Sequence, residues 1–592
     1  MGLSCSGDHP GVYTGQWRIS REVTLRLDYS RFLLLLVFLP APSLVACDPV
    51  PVWPEGDRRA DLVLSLANLI EGEDSGENHL GEIRGLRVRL DAGHETDDPR
   101  APVYDSGCSE YSGDRLRISS LEIRDDYRIR IDLFKDPACE ELAFRGVRGG
   151  MKVSEKRDEG APYLIAMLAT NAFTGLPGVA GEHYPLNSVR RRAFHTATAI
   201  GDGRLVLLGG AEGVRSSDFI GGEGAPEIFD TRTMLFSRST RHELASRRLM
   251  AHATAWLPGG LLAVGGGVQA FRLGKDTAGR VELQIPSEIC YGDSCDTVNY
   301  ILDFSFLDLH EHIELEYPLA SARVFPTLDV VRLSAGDTLI LVGGEPGVFD
   351  TAAGSAFACS VVEGLAPKCD PLPLAYSRAG HTSACIRRTA DGACTSLALL
   401  GGVEPGHRLV EWIALGQQTA HDHFIAAVVD NSRLDSSLLL PRAVGHDGHI
   451  FMTGGALGRI PTAERRAGPA AITLSEAGTG FFRFLDMDQE LGPDAGELLF
   501  HTVTLLADDR VLLAGGVGPD NDSRDEAFVL RHEGSTYVVD QSLRLKQARF
   551  GHTATRVEGG PLDGAVVIFG GVDFDAEGRP HMVETAEIFL PE

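Results

Sequence analysis

A Gly-Gly doublet closing a short apolar run occurs seven times in this chain, and it restricts the possible fold more than any other feature. The runs are LVLLGG, LLAVGGG, LILVGG, LALLGG, IFMTGG, VLLAGG and VVIFGG. They end in Gly209-Gly210, Gly266-Gly267, Gly343-Gly344, Gly401-Gly402, Gly454-Gly455, Gly515-Gly516 and Gly570-Gly571. Most intervals lie between 53 and 61 residues, with a longer gap from the second run to the third. A regular period of this length marks a repeat architecture, in which each unit needs its neighbours to bury its apolar face. A turn dipeptide precedes each run, for example Asp202-Gly203, Asp447-Gly448 and Asp563-Gly564. Such pairs supply the positive φ of tight hairpins. The runs themselves are too short and too tightly bounded by glycine for helices.

A His-Thr or related pair precedes most of the turns: His195-Thr196, His252-Ala253, His381-Thr382, His501-Thr502 and His552-Thr553. Arg192, Arg378 and Arg549 stand three or four residues ahead of three of them. The third repeat has Pro326-Thr327, and in the fifth the place fourteen residues before Gly454 is Leu440, so the histidine is missing. The unit therefore reads strand (HTATAI), turn, strand (RLVLLGG), loop, strand (PEIFD), loop, strand (MLFS). Seven four-stranded antiparallel units make a radial β-propeller. The doublet, the R-x-x-H-T lead-in and the strands at Glu227–Phe229 and Glu587–Phe589 resemble the kelch family of the galactose-oxidase type, over roughly Ser188 to Glu592. The fourth-strand Trp usual in that family is replaced by Phe236 in the first unit. The repeated histidines read as structural groups, each hydrogen-bonded to fix its blade. Ile588-Phe589 is the third strand of the last unit, so a strand near Glu182–Arg190 is expected to supply the fourth and close the ring.

Upstream, Arg31, the apolar run 32–39 (FLLLLVFL) and the small residues ahead of Cys47 describe an export signal. Leu44-Val45-Ala46-Cys47 resembles a bacterial lipobox, which implies cleavage before Cys47 and lipid attachment to it. Residues 1–30 are long and polar for a leader, so initiation at Val23 or Leu25 is expected instead of Met1. Residues 47–60 read as a Pro-rich tether. Apart from Cys5 and Cys47, eight cysteines remain in sequence-local twos: Cys108 with Cys139, Cys290 with Cys295, Cys359 with Cys369, and Cys385 with Cys394. Export to an oxidising compartment would allow these as disulfides, the pairing resting on proximity alone. His381 lies twenty residues before Gly401 in place of fourteen, so the last pair would staple an elongated hairpin.

Residues 61–170 alternate apolar and charged residues, as in YRIRIDL at 127–133, and are read as a small β-sandwich-like domain ahead of a propeller at 182–592. The fold class is thus all-β. With 55 Lys plus Arg against 83 Asp plus Glu, the net charge of −28 excludes the basic face that a nucleic-acid partner requires. Two H-x-H pairs, His310-Glu311-His312 and His421-Asp422-His423, supply only two imidazoles each, and the acidic loops at Asp520–Asp522 and Asp573–Asp575 do not complete a calcium loop. Neither a metal nor a cofactor is expected. No catalytic motif occurs, so the sequence points to a non-catalytic, lipid-anchored binding or scaffold protein of the bacterial cell envelope, with an envelope protein or glycan as partner. The alternative is a carbohydrate-active enzyme on a kelch ring, either a copper-radical oxidase or a sugar epimerase.

Overall fold

The computed structural model describes residues 59–592 apart from connecting segments, the longest being 69–81, 177–190 and 485–496. Cys47, the leader and nearly all of the tether lie outside the described residues, as do both H-x-H pairs. The regular elements are all strands.

Eight strands come first: β1 (Arg59–Asn68), β2 (Gly85–Ala92), β3 (Tyr104–Asp105), β4 (Ser109–Glu110), β5 (Arg115–Glu122), β6 (Arg124–Phe134), β7 (Leu142–Val153) and β8 (Tyr163–Ala169). They are hydrogen-bonded as one sheet in the order β3-β2-β6-β7-β8-β1-β5, with β4 beside β2, and only β1 and β8 run parallel. Alternation decides which face is covered. Tyr127, Ile129, Ile131 and Leu133 of β6 are buried in a core shared with β1, β2, β5, β7 and β8, so the sheet curls over its own apolar face. On its other face Asp132 is held between Arg130 at 2.8 Å and Arg145 at 2.6 Å.

Seven four-stranded sheets follow, one for each Gly-Gly run, and are numbered here as blades 1 to 7. Their first strands are Thr196–Ala199, Ala253–Leu257, Thr327–Leu333, Thr382–Arg388, Arg442–His446, Thr502–Leu505 and Thr553–Arg556. Each first strand neighbours the next around a ring, and that of blade 7 lies against that of blade 1. The Gly-Gly runs are the second strands, and they are apolar throughout because both of their faces are covered by adjacent blades. Leu205 and Leu207 of blade 1 pack with Val567 and Phe569 of blade 7, while Val206 and Leu208 pack with Leu262 and Val264 of blade 2.

The ring closes at a different place from the one the sequence suggested. The fourth strand of blade 7 is β9 (Phe173–Gly175), which pairs with Glu587–Phe589, whereas the expected segment Glu182–Arg190 lies outside the described residues. β9 follows β8 after a short step in which Asn171 takes a left-handed φ of 54° and its N–H donates to the Leu590 carbonyl at 2.7 Å. The first domain thus runs straight into the last blade. The loops after the doublets of blades 1 and 2 build an extra four-stranded sheet from Ala211–Arg215, Asp218–Gly221, Ala270–Lys275 and Val281–Gln284.

Candidate functional site

Strand register fixes which residues are equivalent between blades. Thr196 pairs with Leu208, just before Gly209, and Thr327, Thr382, Thr502 and Thr553 hold the same place in their blades. In blade 5 that place is Arg442, opposite Thr453, so Pro441-Arg442 stands where other blades have His-Thr. The expected position Leu440 is one residue off because the hairpin through Asp447-Gly448 is shorter.

The histidines tie each blade to the one before it. His252 Nε2 meets Thr196 Oγ1 at 2.9 Å, His381 meets Thr327 at 2.9 Å, His552 meets Thr502 at 3.0 Å, and His195 meets Thr553 at 3.0 Å across the closure. Blade 2 has Ala253 for the threonine and blade 3 has Pro326 for the histidine, so at that junction both partners are missing together. Burial, reinforced by nearby arginines, pushes His252, His381 and His501 down to about 3 and His195 and His552 well below the usual imidazole value. These rings are neutral fasteners and cannot serve as acids near neutral pH. The first glycine of the doublet allows the approach: a Cβ on Gly209, which sits at φ 59°, would strike the Leu249 carbonyl and lie 2.8 Å from His252 Cε1.

A second fastener was only half visible in the sequence. Arg192, Arg323, Arg378 and Arg549 are fully buried, and each donates from Nη1 to the carbonyl of the first glycine of its own doublet, at 2.5–2.9 Å. Three of them are neutralised by a third-strand carboxylate: Glu227 at 2.8 Å, Glu411 at 3.3 Å and Glu587 at 2.5 Å. In blade 3 the equivalent of Glu is Phe357, and the Arg323 guanidinium lies 5.1 Å from its ring centroid. Where the arginine place holds Leu249, Leu438 or Leu498, the carboxylate place holds Ser305, Ala470 or Phe528. In the other six blades Arg and Glu are present or absent together, because either alone would leave a buried charge, and in blade 3 the Phe357 ring takes the place of the carboxylate.

The residue just before each His place has positive φ in all seven blades: Phe194, Ala251, Phe325, Gly380, Leu440, Phe500 and Gly551, between 50° and 62°. These residues form a belt around the axis. The N–H of Phe194 donates to the Gly551 carbonyl, Ala251 to Phe194, Phe325 to Ala251, Leu440 to Gly380 and Gly551 to Phe500, at 2.5–3.2 Å. On one side of the belt the axis is filled by apolar side chains. Phe219 and Phe271 from the extra sheet pack edge-on against Phe194, beside Phe500 and Phe550. On the other side lies a cup of about 370 Å³. Phe194, Phe325, Leu440 and Phe500 form its floor, and its wall includes Thr196, Thr198, Thr254, Thr327, Thr502, Thr555 and Arg442. Further along the same first strands, burial pushes Asp329 up to about 6, and the Arg388 guanidinium is lowered by burial and by Arg556. This cup is the candidate site: an apolar floor, a hydroxylated wall and one guanidinium, that of Arg442.

This pattern of Gly-Gly strands and radial sheets settles the architecture. The chain folds as a kelch-type β-propeller. No protein-family model matches the sequence, and no curated protein does. Solved structures similar to it include a fungal alcohol oxidase of the AA5 family in complex with copper, at 13% identity and a TM-score of 0.46 over 71% of this chain and 77% of that one. YjhT is similar at 11% identity and a TM-score of 0.35 over 68% of this chain and 97% of that one. Both likenesses are remote, so the chemistry of the cup is read from this chain's own residues.

The remaining candidates are placed elsewhere. The eight cysteines form four disulfides, 108–139, 290–295, 359–369 and 385–394, so none of them offers a free thiol. Among the described residues one group of potential metal ligands gathers, Glu288 with Cys290 and Cys295, and its sulfurs are already bonded to each other. The acidic loops are held by cations: Asp520 by Arg524 at 2.8 Å, Asp522 by Lys275 at 2.7 Å and Asp575 by Arg579 at 2.8 Å. Disulfides at this density fit an oxidising compartment outside the cytoplasm. No helix among the described residues is long and apolar enough to cross a membrane.

Proposed function

We propose that this chain is an exported binding protein of the bacterial cell envelope, held to the membrane by lipid on Cys47, and that the axial cup receives its ligand without transforming it. One observation carries the binding reading: beyond the belt the axis is packed shut by Phe194, Phe219, Phe271, Phe500 and Phe550, which leaves a blind, half-buried recess. The buried histidines next to the cup are neutral and hydrogen-bonded to threonine, so they are poor proton donors, and no thiol is free for covalent chemistry among the eight cysteines. Acyl chains suit the attachment because an acidic body gains nothing from an anionic bilayer.

The binding reading is tested by screening the purified chain against a panel of small neutral and acidic glycans by calorimetry, then mapping any hit by amide hydrogen exchange and following the ligand by mass spectrometry. Slowed exchange in Thr196–Ala199, Thr327–Leu333 and Thr502–Leu505 with an unaltered ligand is the expected result. Turnover of the ligand, or protection confined to other segments, would overturn it. The anchor is tested separately: Cys47→Ser should abolish labelling by a fatty-acid analogue, and equal labelling of both proteins would refute lipidation at that residue.

A further inference from the structure

Among the breaks in the cup's symmetry, one adds a charged side chain to the wall. Arg442 occupies the place that Thr327, Thr502 and Thr553 use to bind the histidine of the following blade. The substitution deprives His501 of that partner. It also puts Arg442 into the cup wall, where, among the described residues, its side chain makes one hydrogen bond, from Nε to the His501 carbonyl at 3.4 Å. The buried arginines of blades 1, 4 and 7 each face a carboxylate. Arg442 has none: among the described residues no carboxylate forms an ion pair with it, and the neighbouring His501 and His552 are neutral. Arg442, whose guanidinium is a planar fork matched to two oxygens of one oxyanion, lines a recess of about 370 Å³. A half-buried cation without a counter-charge is unfavourable in the folded chain alone. An anion entering the cup removes that cost.

We propose that the cup is an oxyanion site in which Arg442 binds the carboxylate or phosphate of a small ligand whose body lies against the Phe194, Phe325 and Phe500 floor. Wall hydroxyls such as Thr198, Thr254 and Thr555 suit a hydroxylated ligand body. This inference rests on the cup being the binding site and adds the ligand's charge.

The test uses the detergent-purified full chain with three probes: inorganic phosphate, D-glucuronate, and D-glucose as the neutral counterpart of the second. At least one acid should bind about tenfold or more tightly than glucose, a difference of one charge-assisted pair, and which acid binds identifies the group. Arg442→Thr should erase that preference. Because it restores the threonine that His501 lacks, it should also raise the thermal midpoint, so loss of binding cannot be blamed on unfolding. Arg442→Lys should keep the preference in weakened form. Failure of both acids to bind, or an unchanged preference in Arg442→Thr, would overturn the proposal. If glucose and glucuronate bind equally and both protect the first strands from hydrogen exchange, the oxyanion inference fails while the cup remains the binding site. If an acid binds and protects only segments away from those strands, the cup itself is wrong.

Discussion

The seam between blades 7 and 1 and the junctions around blade 5 are built from the same parts list and differ at nearly every place on it. At the seam His195 meets Thr553, Gly571 N–H donates to the Arg192 carbonyl at 2.7 Å, Gly203 N–H to Glu558, and both flanking blades carry the full Arg–Glu unit. Blade 5 has Leu438 for Arg, Ala470 for Glu, Pro441 for His and Arg442 for Thr. The difference follows from connectivity. Blade 5 is joined to both neighbours by short stretches of chain, so its position costs little loop entropy. The first three strands of blade 7 are hundreds of residues from blade 1 in sequence and are held to β9, and to blade 1 beyond it, by non-covalent contacts, where the whole closure must be stabilised. Fasteners concentrate where the chain gives no help, and substitution is tolerated where it does.

The largest effect should come from cutting the seam itself. Deleting 582–592 removes Glu587–Phe589, which pairs with both Val566–Ile568 and β9, together with the carboxylate that neutralises Arg549. Repeat arrays need their ends satisfied, so this chain should unfold or aggregate where a frayed terminus would not. A monomeric truncated protein with an unchanged circular-dichroism midpoint would show that the seam is dispensable.

Acid should act next, and selectively on junctions that own a histidine. A base held below its ordinary value is neutral in the fold but charges in the unfolded chain, so stability is full above about pH 6.5 and erodes as pH falls toward 3. The five junction histidines each take up a proton on unfolding near pH 5. Asp329, pushed up to about 6, is protonated in the fold there and releases one, so these groups together take up about four. The dependence of urea stability on pH between 7 and 5 measures that number. His552→Gln should lower it by about one, whereas Arg442→Thr should leave it unaltered.

A smaller change separates the Arg–Glu unit from its parts. Glu587→Ala strands Arg549 as a buried charge and should cost about 3–5 kcal/mol. The double variant Arg549→Leu, Glu587→Ala copies what blade 5 already has and should recover most of that loss. Denaturant midpoints for the four corners of the cycle give the coupling, and additive losses would mean the pair is not a unit.

How much of this was readable from the sequence depends on whether a feature repeats at a fixed spacing. The doublets, the His-Thr places and the local disulfides were, because hairpins are short and their spacing is nearly constant. Glu411 was not, since the Arg-to-Glu separation is 33 residues in blade 4 and 38 in blade 7, set by loops of differing length. β9 is three residues, Phe-Thr-Gly, too short to show alternation. Arg442 did not stand out because a hairpin shorter by one residue shifts blade 5 out of register with a count from its doublet. Only strand pairing shows that it replaces a threonine facing the axis.

The belt offers the finest contrast between seam and interior. Ala251 in blade 2 and Gly551 in blade 7 hold equivalent places at φ 50° and 61°. Left-handed backbone costs a residue with a Cβ about 1 kcal/mol, which glycine avoids at some expense in unfolded-state entropy. At Ala251 the methyl is itself buried in the axial core, so relief of backbone strain and loss of a buried methyl oppose each other and Ala251→Gly should change stability by less than about 1 kcal/mol. At Gly551 the added Cβ would also lie 2.8 Å from Phe194 Cζ, the ring that crosses the seam to cover it. Gly551→Ala should therefore cost more than the backbone strain alone, about 1–3 kcal/mol by the usual scale of overpacking. If both variants shift the thermal midpoint by the same amount in opposite directions, the belt senses only φ, and the seam has no tighter packing than the interior junctions.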